Sequence, residues 1–322
     1  MEGPPATGGV MTDRWPRISR RAQPLVRTDG SVQFGLEPTE GARVCGVSAP
    51  EVTWLGALDG SRDPLASAEG AGIPRERAAT LLQALRDAGV LLDPPHPSLR
   101  WRFPGRSFDS EVAAAGAPPH ILDAYAAVVA RADACVRVLG RGALAATLAD
   151  VLRQSGIGEV DRDQLGATSL KYRRRPAVVV LATAGPLGEG CGRAWGARGI
   201  PHLPVTITPA RVSVGPLVVP GQGPCLECLD RVRSDLDPSW TWLREQTSAA
   251  DVLAEGECAL TTVGAGLAAR VVLAHLDGFA VPAGVGFEVG SPWPDPVARQ
   301  WPAHPECAAC GRISARPDTM LA

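Results

Sequence analysis

The sequence predicts an α/β protein in which a small α+β domain precedes a larger domain built on a mostly parallel sheet. Three short β-like runs come before three amphipathic helical segments within residues 23–92. A buried-strand pattern at Cys135–Leu139 then runs directly into a glycine turn and a helix, and two Cys-x-x-Cys pairs follow, beginning at Cys225 and Cys307. With 322 residues and 45% hydrophobic content, the chain can bury a core in each of two domains.

The composition argues against two classes of partner. The formal net charge of −2 gives no electrostatic basis for binding nucleic acid or an anionic membrane. No apolar run approaches the roughly 18 residues that cross a bilayer, and the start Met1–Pro5 lacks a basic-then-apolar signal pattern. Together with cysteines at metal-binding spacing, these features predict a cytoplasmic protein in a reducing compartment.

The N-terminal segment, residues 1–22, is polar and without periodicity, so we expect a disordered tail. Short β-like runs follow at Leu25–Arg27, Val32–Leu36 and Arg43–Val47. The Asp29-Gly30 pair between the first two runs is typical of a hairpin turn. These runs predict a small sheet that begins with a hairpin.

Three helical segments follow this small sheet. Ser48–Glu51 is a capping box with proline in the first turn, which predicts the start of the first helix. Asp63 and Pro74 mark the starts of the second and third helices. The closing apolar run Val90–Leu92 completes a winged-helix-like domain over residues 23–92.

A winged-helix-like unit can bind DNA, receive a peptide or be purely structural. The third helix carries charges of both signs, at Arg75, Glu76, Arg77, Arg86 and Asp87. A DNA-binding helix would show a larger excess of positive charge. An exposed strand edge beside a helix can instead receive an extended peptide as an added strand. The residues alone leave peptide capture and a structural role open.

The order of these parts resembles the PqqD-like peptide-recognition domains, which capture leader peptides of ribosomally made, post-translationally modified peptides. The resemblance covers the run Ala42–Val47, the helix Ser48–Leu58 and the closing segment Leu81–Leu92. It implies that a leader adds a strand to Arg43–Val47 and packs against Arg77–Leu85. The peptide-binding residues that it implies are Arg43, Val44, Cys45, Val47, Arg77 and Leu81.

The second half of the chain is separated from the first by a linker. Residues 93–119 are rich in proline, glycine and polar groups. We expect the larger domain to span residues 120–311, starting with a helix at Ile121–Arg131, and residues 312–322 to form a tail.

The glycine turn indicates a Rossmann-like fold. The strand Cys135–Leu139 is followed by a Gly-x-Gly-x-x-Ala sequence, Gly140–Ala145, and a helical stripe. In such units the glycines let the backbone approach a phosphate at a helix N-terminus. Asp161 stands where such folds hold a ribose hydroxyl. Gly140, Gly142 and Asp161 are therefore candidate nucleotide-binding residues, although the motif alone supports the fold better than it supports bound nucleotide.

Four cysteines have metal-binding spacing. Cys225 and Cys228 form one pair, and Cys307 and Cys310 form the other. Two such pairs supply the four thiolates of a closed tetrahedral zinc site. Because the chain between the pairs is long, the expected role is structural, tying the tail back onto the domain. A redox pair would need only one of these motifs, and four unrelated cysteines are the remaining alternative.

A second resemblance covers about residues 133–311. The matching segments are the Gly140 turn, Val178–Leu181, Gly199–Pro201, Val218–Pro220, Gly223–Leu229, Gly264–Leu276 and His304–Gly311. Together they resemble the ThiF/MoeB-type, ubiquitin-activating-like adenylyltransferases. In that family four cysteines bind structural zinc, which implies the same role for the four cysteines here.

The adenylation site of that family is not matched. Its members use an arginine in an Asn-containing stretch, a phosphate-binding lysine and a metal-binding aspartate, but this chain has no asparagine and one lysine, Lys171. Only 16 positions separate Asp161 from Ala177, whereas a strand, crossover helix and strand need about 30 residues. A β–α unit is therefore expected to be missing. Arg173 remains a candidate phosphate contact, and ATP is a doubtful cofactor. Because the adenylation residues of the resembled family are not matched, the resemblance implies a pseudo-enzyme.

The remaining cysteines and histidines are expected to be structural. Cys258 falls where some members of that family keep a thioester-forming cysteine, but a buried thiol at a helix start is the simpler interpretation. The others are Cys45, Cys135 and Cys191, predicted in the apolar core, and His202 and His304.

The combination of the two domains resembles the leader-binding partner proteins of YcaO-type cyclodehydratases, which make thiazole- and oxazole-modified peptides. The resemblance implies a non-catalytic protein that captures a precursor peptide and presents it to a YcaO-like enzyme. A homodimer is possible by analogy with the adenylyltransferases. Two alternatives stay open: a working ATP-dependent adenylyltransferase that uses Arg173 or Arg174 together with Lys171, and a winged-helix DNA-binding regulator.

Overall fold

The structure is a computed structural model of the chain and describes residues 15–19, 22–36, 42–94, 109–115, 124–164, 174–249 and 256–311. It divides into two compact units, Met1–Val129 and Ala130–Ala322. The domain boundary expected from the sequence, at residue 120, lies a few residues before this division.

The N-terminal unit holds two small antiparallel sheets, β1–β5 and β2–β3–β4. The strands are β1 (Arg17–Ile18), β2 (Pro24–Val26), β3 (Val32–Phe34), β4 (Ala42–Val44) and β5 (Leu91–Leu92). The helices are α1 (Ala49–Gly56), α2 (Pro64–Gly70), α3 (Arg75–Asp87) and α4 (Asp109–Ala115), and α5 (Ala124–Ala132) crosses the division between the units.

Local capping explains where the first two helices begin. The Glu51 carboxylate accepts hydrogen bonds from the backbone N–H and the hydroxyl of Ser48, at 2.6 and 2.8 Å. The Asp63 carboxylate accepts from the N–H groups of Leu65 and Ala66 in the first turn of α2. These contacts confirm the helix starts that Ser48 and Asp63 predict, and α3 begins at Arg75 as Pro74 predicts.

Two expectations for this unit were wrong. Part of the expected tail is ordered, because Arg17 and Ile18 pair with Leu92 and Leu91 and Ile18 lies in the core. The expected linker contains α4, whose Val112 and Ala115 bury against Tyr125 and Val128. In both cases contacts with distant residues stabilise segments whose local pattern is weak.

The C-terminal unit is a single seven-stranded sheet with helices. Its elements are β6 (Cys135–Leu139), α6 (Gly142–Gln154), β7 (Glu159–Asp163), β8 (Val178–Ala184), α7 (Arg193–Ala197), β9 (His202–Thr208), β10 (Arg211–Val214), α8 (Leu226–Leu236), α9 (Trp240–Ala249), α10 (Cys258–Leu276), β11 (Val285–Gly290), β12 (Val297–Gln300) and α11 (Ala308–Gly311).

The sheet order is β12-β11-β10-β9-β8-β6-β7. The pairs β7–β6, β6–β8 and β8–β9 are parallel, and β9 to β12 form an antiparallel meander. Five of the seven strands consequently point the same way, so the sheet is mixed and mostly parallel, as predicted. The helices α8 and α9 and the strands β11 and β12 were not predicted.

Helices α6 and α10 cover one face of the sheet and build the main core with it. α10 lies close to the strands because Gly264 has no side chain: a Cβ there would come within 2.4 Å of the Val212 side chain. This confirms the predicted small-residue contact. α10 is also long and apolar enough to cross a membrane by length and composition alone, contrary to the expectation from the sequence. Its buried residues include Leu260, Ala268 and Val272.

Strand β7 is the edge of the sheet beside the glycine turn. It pairs with β6 only, and β8 adds on the opposite side of β6. Within the described residues no helix lies between Asp163 and Val178. This topology agrees with the expected loss of a β–α unit after Asp161.

Candidate functional site

The first candidate site is the β4 edge of the N-terminal sheet. β4 pairs with β3 through Arg43 opposite Gln33, and no strand pairs with its other edge among the described residues. Val44 and Val47 are half-buried against the N-terminal core. Arg43 lies on the exposed side, donating to the Ser31 hydroxyl at 3.0 Å and forming an ion pair with Asp29. As far as the described ranges go, this edge of β4 is open for pairing.

Arg77 connects α3 to the segment that follows β4. Its Nε donates to Glu51 at 2.7 Å, and its Nη2 donates to the Gly46 carbonyl at 2.7 Å. The hydrogen bond from Arg77, with those from Ser48, holds the pKa of the Glu51 carboxyl below its ordinary value against the opposing effect of burial. These contacts join α3 to residues that directly follow β4, so the helix is fixed near the end of that strand.

Two of the predicted peptide-binding residues occupy unexpected environments. Leu81 is 3% exposed and belongs to the N-terminal core, so its side chain is not available to contact a peptide directly. Cys45 was expected in the apolar core but is exposed immediately after β4. The helical spacing of apolar residues in α3 marks the face that is buried, and Leu81 lies on it. Such spacing cannot show whether a residue packs in the core or contacts a peptide.

The second candidate site is the cluster of Cys225, Cys228, Cys307 and Cys310, the four residues predicted to bind metal. Their sulfur atoms lie within 4.8 Å of one another, an arrangement that could hold a metal ion. Cys225 lies 3.8 Å from Cys228 and 3.6 Å from Cys307, and Cys228 lies 3.3 Å from Cys310. The start of α8 supplies one pair and the segment leading into α11 the other.

The environment of the cluster sets how easily its thiols ionise. Burial raises the pKa of Cys225 to about 11 and raises the pKa of Cys310 as well. Burial also opposes ionisation of Cys228, but the backbone N–H of His304 and the neighbouring thiols outweigh it and lower the pKa of that group. A bound cation would supply the charge that stabilises the remaining thiolates.

Beside this cluster an arginine packs against two tryptophan rings, a contact that the sequence did not predict. The Arg233 guanidinium lies 5.1 Å from the ring centre of Trp240 and 4.8 Å from that of Trp301. Trp301 precedes the second cysteine pair, so the stack fastens the C-terminal segment to α8 and α9. His304 donates to Asp235 on α8 through Nε2 at 2.9 Å.

The third candidate site is the glycine turn after β6. A Cβ on Gly140 would lie 1.9 Å from the Ala182 carbonyl oxygen, so close packing of β6 against β8 already requires glycine there. Gly142 has a φ of 80°, a conformation that favours glycine. Both residues are therefore explained by the fold itself, and their presence is weak evidence for a phosphate.

The acidic residue at this edge differs from the one predicted. Asp161 lies inside β7, opposite Arg137, whereas Asp163 ends the strand. The Asp163 carboxylate accepts from the Gln164 N–H and from Arg137 Nη2 at 2.6 Å, and these contacts lower its pKa. Sequence spacing does not define the end of a strand, so Asp163, and not Asp161, is the acidic residue that ends β7. The ribose contact expected for Asp161 stays a prediction. Arg173 and Lys171 lie outside the described residues.

A cavity of about 1000 Å³ opens on the sheet face opposite α10. Its walls include the hydroxyl residues Thr206, Thr208 and Ser213, and the buried His202 ring. His202 Nδ1 donates to the Ile200 carbonyl at 3.0 Å, and burial lowers the pKa of this histidine. The sequence missed the cavity because alternate residues of β9 and β10 line it, and such alternation is also typical of an exposed strand.

The other cysteines occupy three different environments. Cys135 is buried in β6 and burial raises its pKa to about 11. Cys191 is half-buried at the cavity wall, and burial raises its pKa to about 11 too. Cys258 is exposed at the first position of α10, so the expectation of a buried thiol there was wrong.

Comparison with known proteins reveals the fold but no close relative. No protein-family model and no curated protein sequence matches the chain. Among solved structures, a heterocyclase in complex with substrate and cofactor is similar over 92% of this chain at 18% identity and a TM-score of 0.68. The matched part is 39% of that heterocyclase, so this chain spans well under half of its length.

Escherichia coli MccB is similar over its full length. Its structure covers 92% of this chain and 96% of its own at 14% identity, with a TM-score of 0.61. A structure of MccB, described as a microcin C7 biosynthetic enzyme, in complex with N-formylated MccA matches with a TM-score of 0.63. The chain thus has the ThiF/MoeB-type adenylyltransferase fold that its motifs predicted.

Proposed function

We propose that the protein captures the leader of a ribosomally made precursor peptide and presents it to a separate modifying enzyme. The observation that carries the proposal is the open β4 edge beside α3, in a chain whose fold matches that of MccB and of a substrate-bound heterocyclase. The heterocyclase was solved in complex with substrate, and MccB in complex with N-formylated MccA. A non-catalytic role for this chain is our inference.

Strand addition explains how the edge would recognise a peptide. An incoming strand would pair its backbone with the free side of β4, and its alternate side chains would meet Val44 and Val47. Arg77 holds the Gly46 carbonyl, so the segment after β4 turns away and the pairing edge is short. Backbone pairing over few residues provides moderate affinity, and the half-buried valines add apolar contacts.

We infer that the ion in the cysteine cluster is zinc. Four thiolates around tetrahedral zinc, with bonds of about 2.3 Å, place their sulfur atoms about 3.8 Å apart. The Cys225–Cys228 and Cys225–Cys307 distances are close to this value. With four protein ligands and no open position, such a site is structural, so its role is to hold the C-terminal segment against α8 and not to activate a substrate.

A binding titration with the co-encoded precursor peptide tests leader capture. We expect Val44→Asp to weaken binding at least about 30-fold, because a charge would enter the apolar floor beside the added strand. Cys45→Asp is a second variant on the same edge, and it should fold normally because Cys45 is exposed. Thermal unfolding and circular dichroism would verify the fold of each variant.

The matched control is Val26→Asp on β2, the opposite edge of the same three-stranded sheet. Val26 is 66% exposed and does not face β4, so this variant should bind the precursor like the parent protein. Unchanged affinity in both β4 variants, or an equal loss in the β2 variant, would reject the β4 edge as the binding site.

The second candidate function is ATP-dependent adenylation of a peptide. MccB has been solved with ATP, and the glycine turn is present here, which favours it. Against it, the Asp163 carboxylate is paired with Arg137, and the first four residues after β8, Gly185–Gly188, include no carboxylate. ATP–pyrophosphate exchange by the purified protein with its precursor separates the two functions: measurable exchange would support adenylation and contradict a purely presenting role.

A further inference from the structure

A second group of metal-binding side chains lies at the amino ends of β6 and β7. Cys135 is the first residue of β6, and Glu159 and Asp161 are the first and third residues of β7. Cys135 pairs with Glu159 across the two parallel strands, and alternate residues of a strand share a face. The Cys135 sulfur and a carboxylate oxygen of each acid therefore meet on one face of the sheet, all within 4.8 Å of one another.

The three side chains have no protein partner to satisfy them. Within the part of the chain that the structure describes, none of them forms a hydrogen bond or an ion pair. Cys135 is only 2% exposed, and Glu159 and Asp161 are half-buried. Asp163, the next acid on the same face of β7, is by contrast paired with Arg137 at 2.6 Å. The row of acids is thus satisfied at one end and unsatisfied where it meets the thiol.

Neighbouring arginines do not take the place of a cation at this point. The charges of Arg137 and Arg174 act on the Cys135 thiol, but among the described ion pairs neither arginine pairs with Glu159 or Asp161. Two carboxylates and a buried thiol that converge without partners cost free energy, because like charges repel and polar groups lose water. A bound cation would remove both costs.

The donor set indicates which cation would bind. Zinc takes cysteine sulfur at about 2.3 Å and carboxylate oxygen at about 2.0–2.2 Å, so its ligand atoms lie about 3.4–3.6 Å apart. The three ligand atoms here are within 4.8 Å, and small rotations of the two carboxylates would reach that spacing. Magnesium and calcium prefer oxygen ligands and would leave the thiol unused.

We propose that Cys135, Glu159 and Asp161 bind a second zinc ion, separate from the one in the Cys225 cluster. With three protein ligands, this zinc keeps a fourth position for water or for a group of another molecule. It would also tie the edge strand β7 to β6. A carboxylate of Asp161 that binds zinc is not available to a ribose, so this role replaces the contact that the sequence predicts for Asp161. The proposal does not depend on leader capture at β4.

Metal analysis of the full chain, incubated with zinc and then dialysed against metal-free buffer, tests the second site. We expect about two zinc ions per chain in the parent protein, and about one in Cys135→Ser and in Glu159→Gln. Competition with a zinc-binding dye should show that each variant has lowered the affinity of the second ion at least about 100-fold.

Cobalt in place of zinc identifies the ligands directly. The sulfur-to-cobalt absorption in the near ultraviolet grows with the number of thiolates, and the two sites together would hold five. The difference between the cobalt-saturated parent and cobalt-saturated Cys135→Ser should therefore be about one fifth of the absorption of the parent. No difference between the two spectra would show that Cys135 is not a ligand.

The matched control is Cys191→Ser, which changes another poorly exposed thiol of the same unit that lies outside both clusters. It should keep both zinc ions. One zinc per parent chain, or two in both Cys135→Ser and Glu159→Gln, would overturn the proposal. A second zinc that Cys191→Ser loses equally would be an adventitious ion and would overturn it too.

The fold of each variant would be verified by circular dichroism and thermal unfolding. If Cys135→Ser does not fold, Glu159→Gln decides the outcome, because it replaces a half-buried carboxylate by an amide of the same shape. The precursor titration on β4 uses neither variant, so failure of the second zinc site and failure of leader capture can be distinguished.

Discussion

The two ends of the seven-stranded sheet differ in how much of their chemistry is present. On the β9–β12 side the four cysteines converge, with sulfur distances suited to a metal ion and an aromatic stack that fixes the C-terminal segment. At the β6–β7 edge the glycine turn is present, but the strand-ending carboxylate is neutralised by Arg137 and β7 is the edge strand. The difference teaches that the four converging thiols and the glycine turn depend on separate parts of the fold, so the completeness of one does not predict the completeness of the other.

The largest expected effect comes from removing a metal ligand. Cys307→Ser should lose bound zinc and reduce the free energy of unfolding by at least about 4 kcal/mol, because a thiolate cluster without its ion no longer fastens the C-terminal segment. Metal analysis and urea unfolding would measure both. Cys258→Ser, which alters an exposed thiol, is the control, and full zinc content in Cys307→Ser would contradict the assignment of the site.

Gly140→Ala tests whether the glycine turn is explained by packing. The added methyl would meet the Ala182 carbonyl oxygen at 1.9 Å, so we expect a loss of about 1–3 kcal/mol of unfolding free energy. Gly266→Ala in α10 is the control, because a Cβ there meets nothing within 4 Å, and it should be neutral or slightly stabilising. Equal stability of the Gly140 variant and the parent would show that packing does not require this glycine.

The buried His202, on the cavity side of the sheet, predicts that the free energy of unfolding depends on pH. Because burial lowers its pKa in the folded protein, only the unfolded chain binds a proton as the pH first falls below about 6.5. Its contribution to stability is full above that pH and is lost as the pH falls, with a slope of at most about 1.4 kcal/mol per pH unit. Urea unfolding from pH 7.5 to 5.5 should show a shallower dependence in His202→Gln, and identical slopes would disprove the contribution of this residue.

The smallest expected effect concerns ATP itself. If the β6–β7 edge no longer binds nucleotide, millimolar ATP should raise the unfolding temperature by less than about 1 °C, since a ligand stabilises only in proportion to its occupancy. Differential scanning fluorimetry with and without magnesium would measure the shift. A shift of several degrees that Gly142→Val abolishes would instead place a working nucleotide site at the turn and remove the contrast between the two ends of the sheet.

Local signals predicted many elements correctly. Each of these signals involves residues that are near neighbours in the chain. They are the capping box at Ser48, the acidic cap at Asp63 and the apolar runs that form β6 and β8. The small residues at the start of α10 correctly indicated a close approach to the sheet. Such features depend on backbone capping and on side-chain periodicity, which a single sequence displays directly.

Features that depend on distant contacts were missed. β1 is two residues long and exists because it pairs with β5, and α4 packs against α5. The inward contacts of Arg233 and Arg244 and the pairing of Asp163 with Arg137 join residues on different elements. No local pattern marks these contacts, so the sequence could not show which charges remain exposed.

The sequence by itself determined the two-part organisation, the glycine turn and the identity of the four cysteines, since these follow from residue type and spacing. Only the tertiary structure decided that the four sulfur atoms meet, that the β4 edge is open beside α3, and that the carboxylate at the end of β7 is already paired. The physical reason is that exposure and pairing are set by packing between elements far apart in the chain, whereas helix starts and glycine turns are set within a few residues.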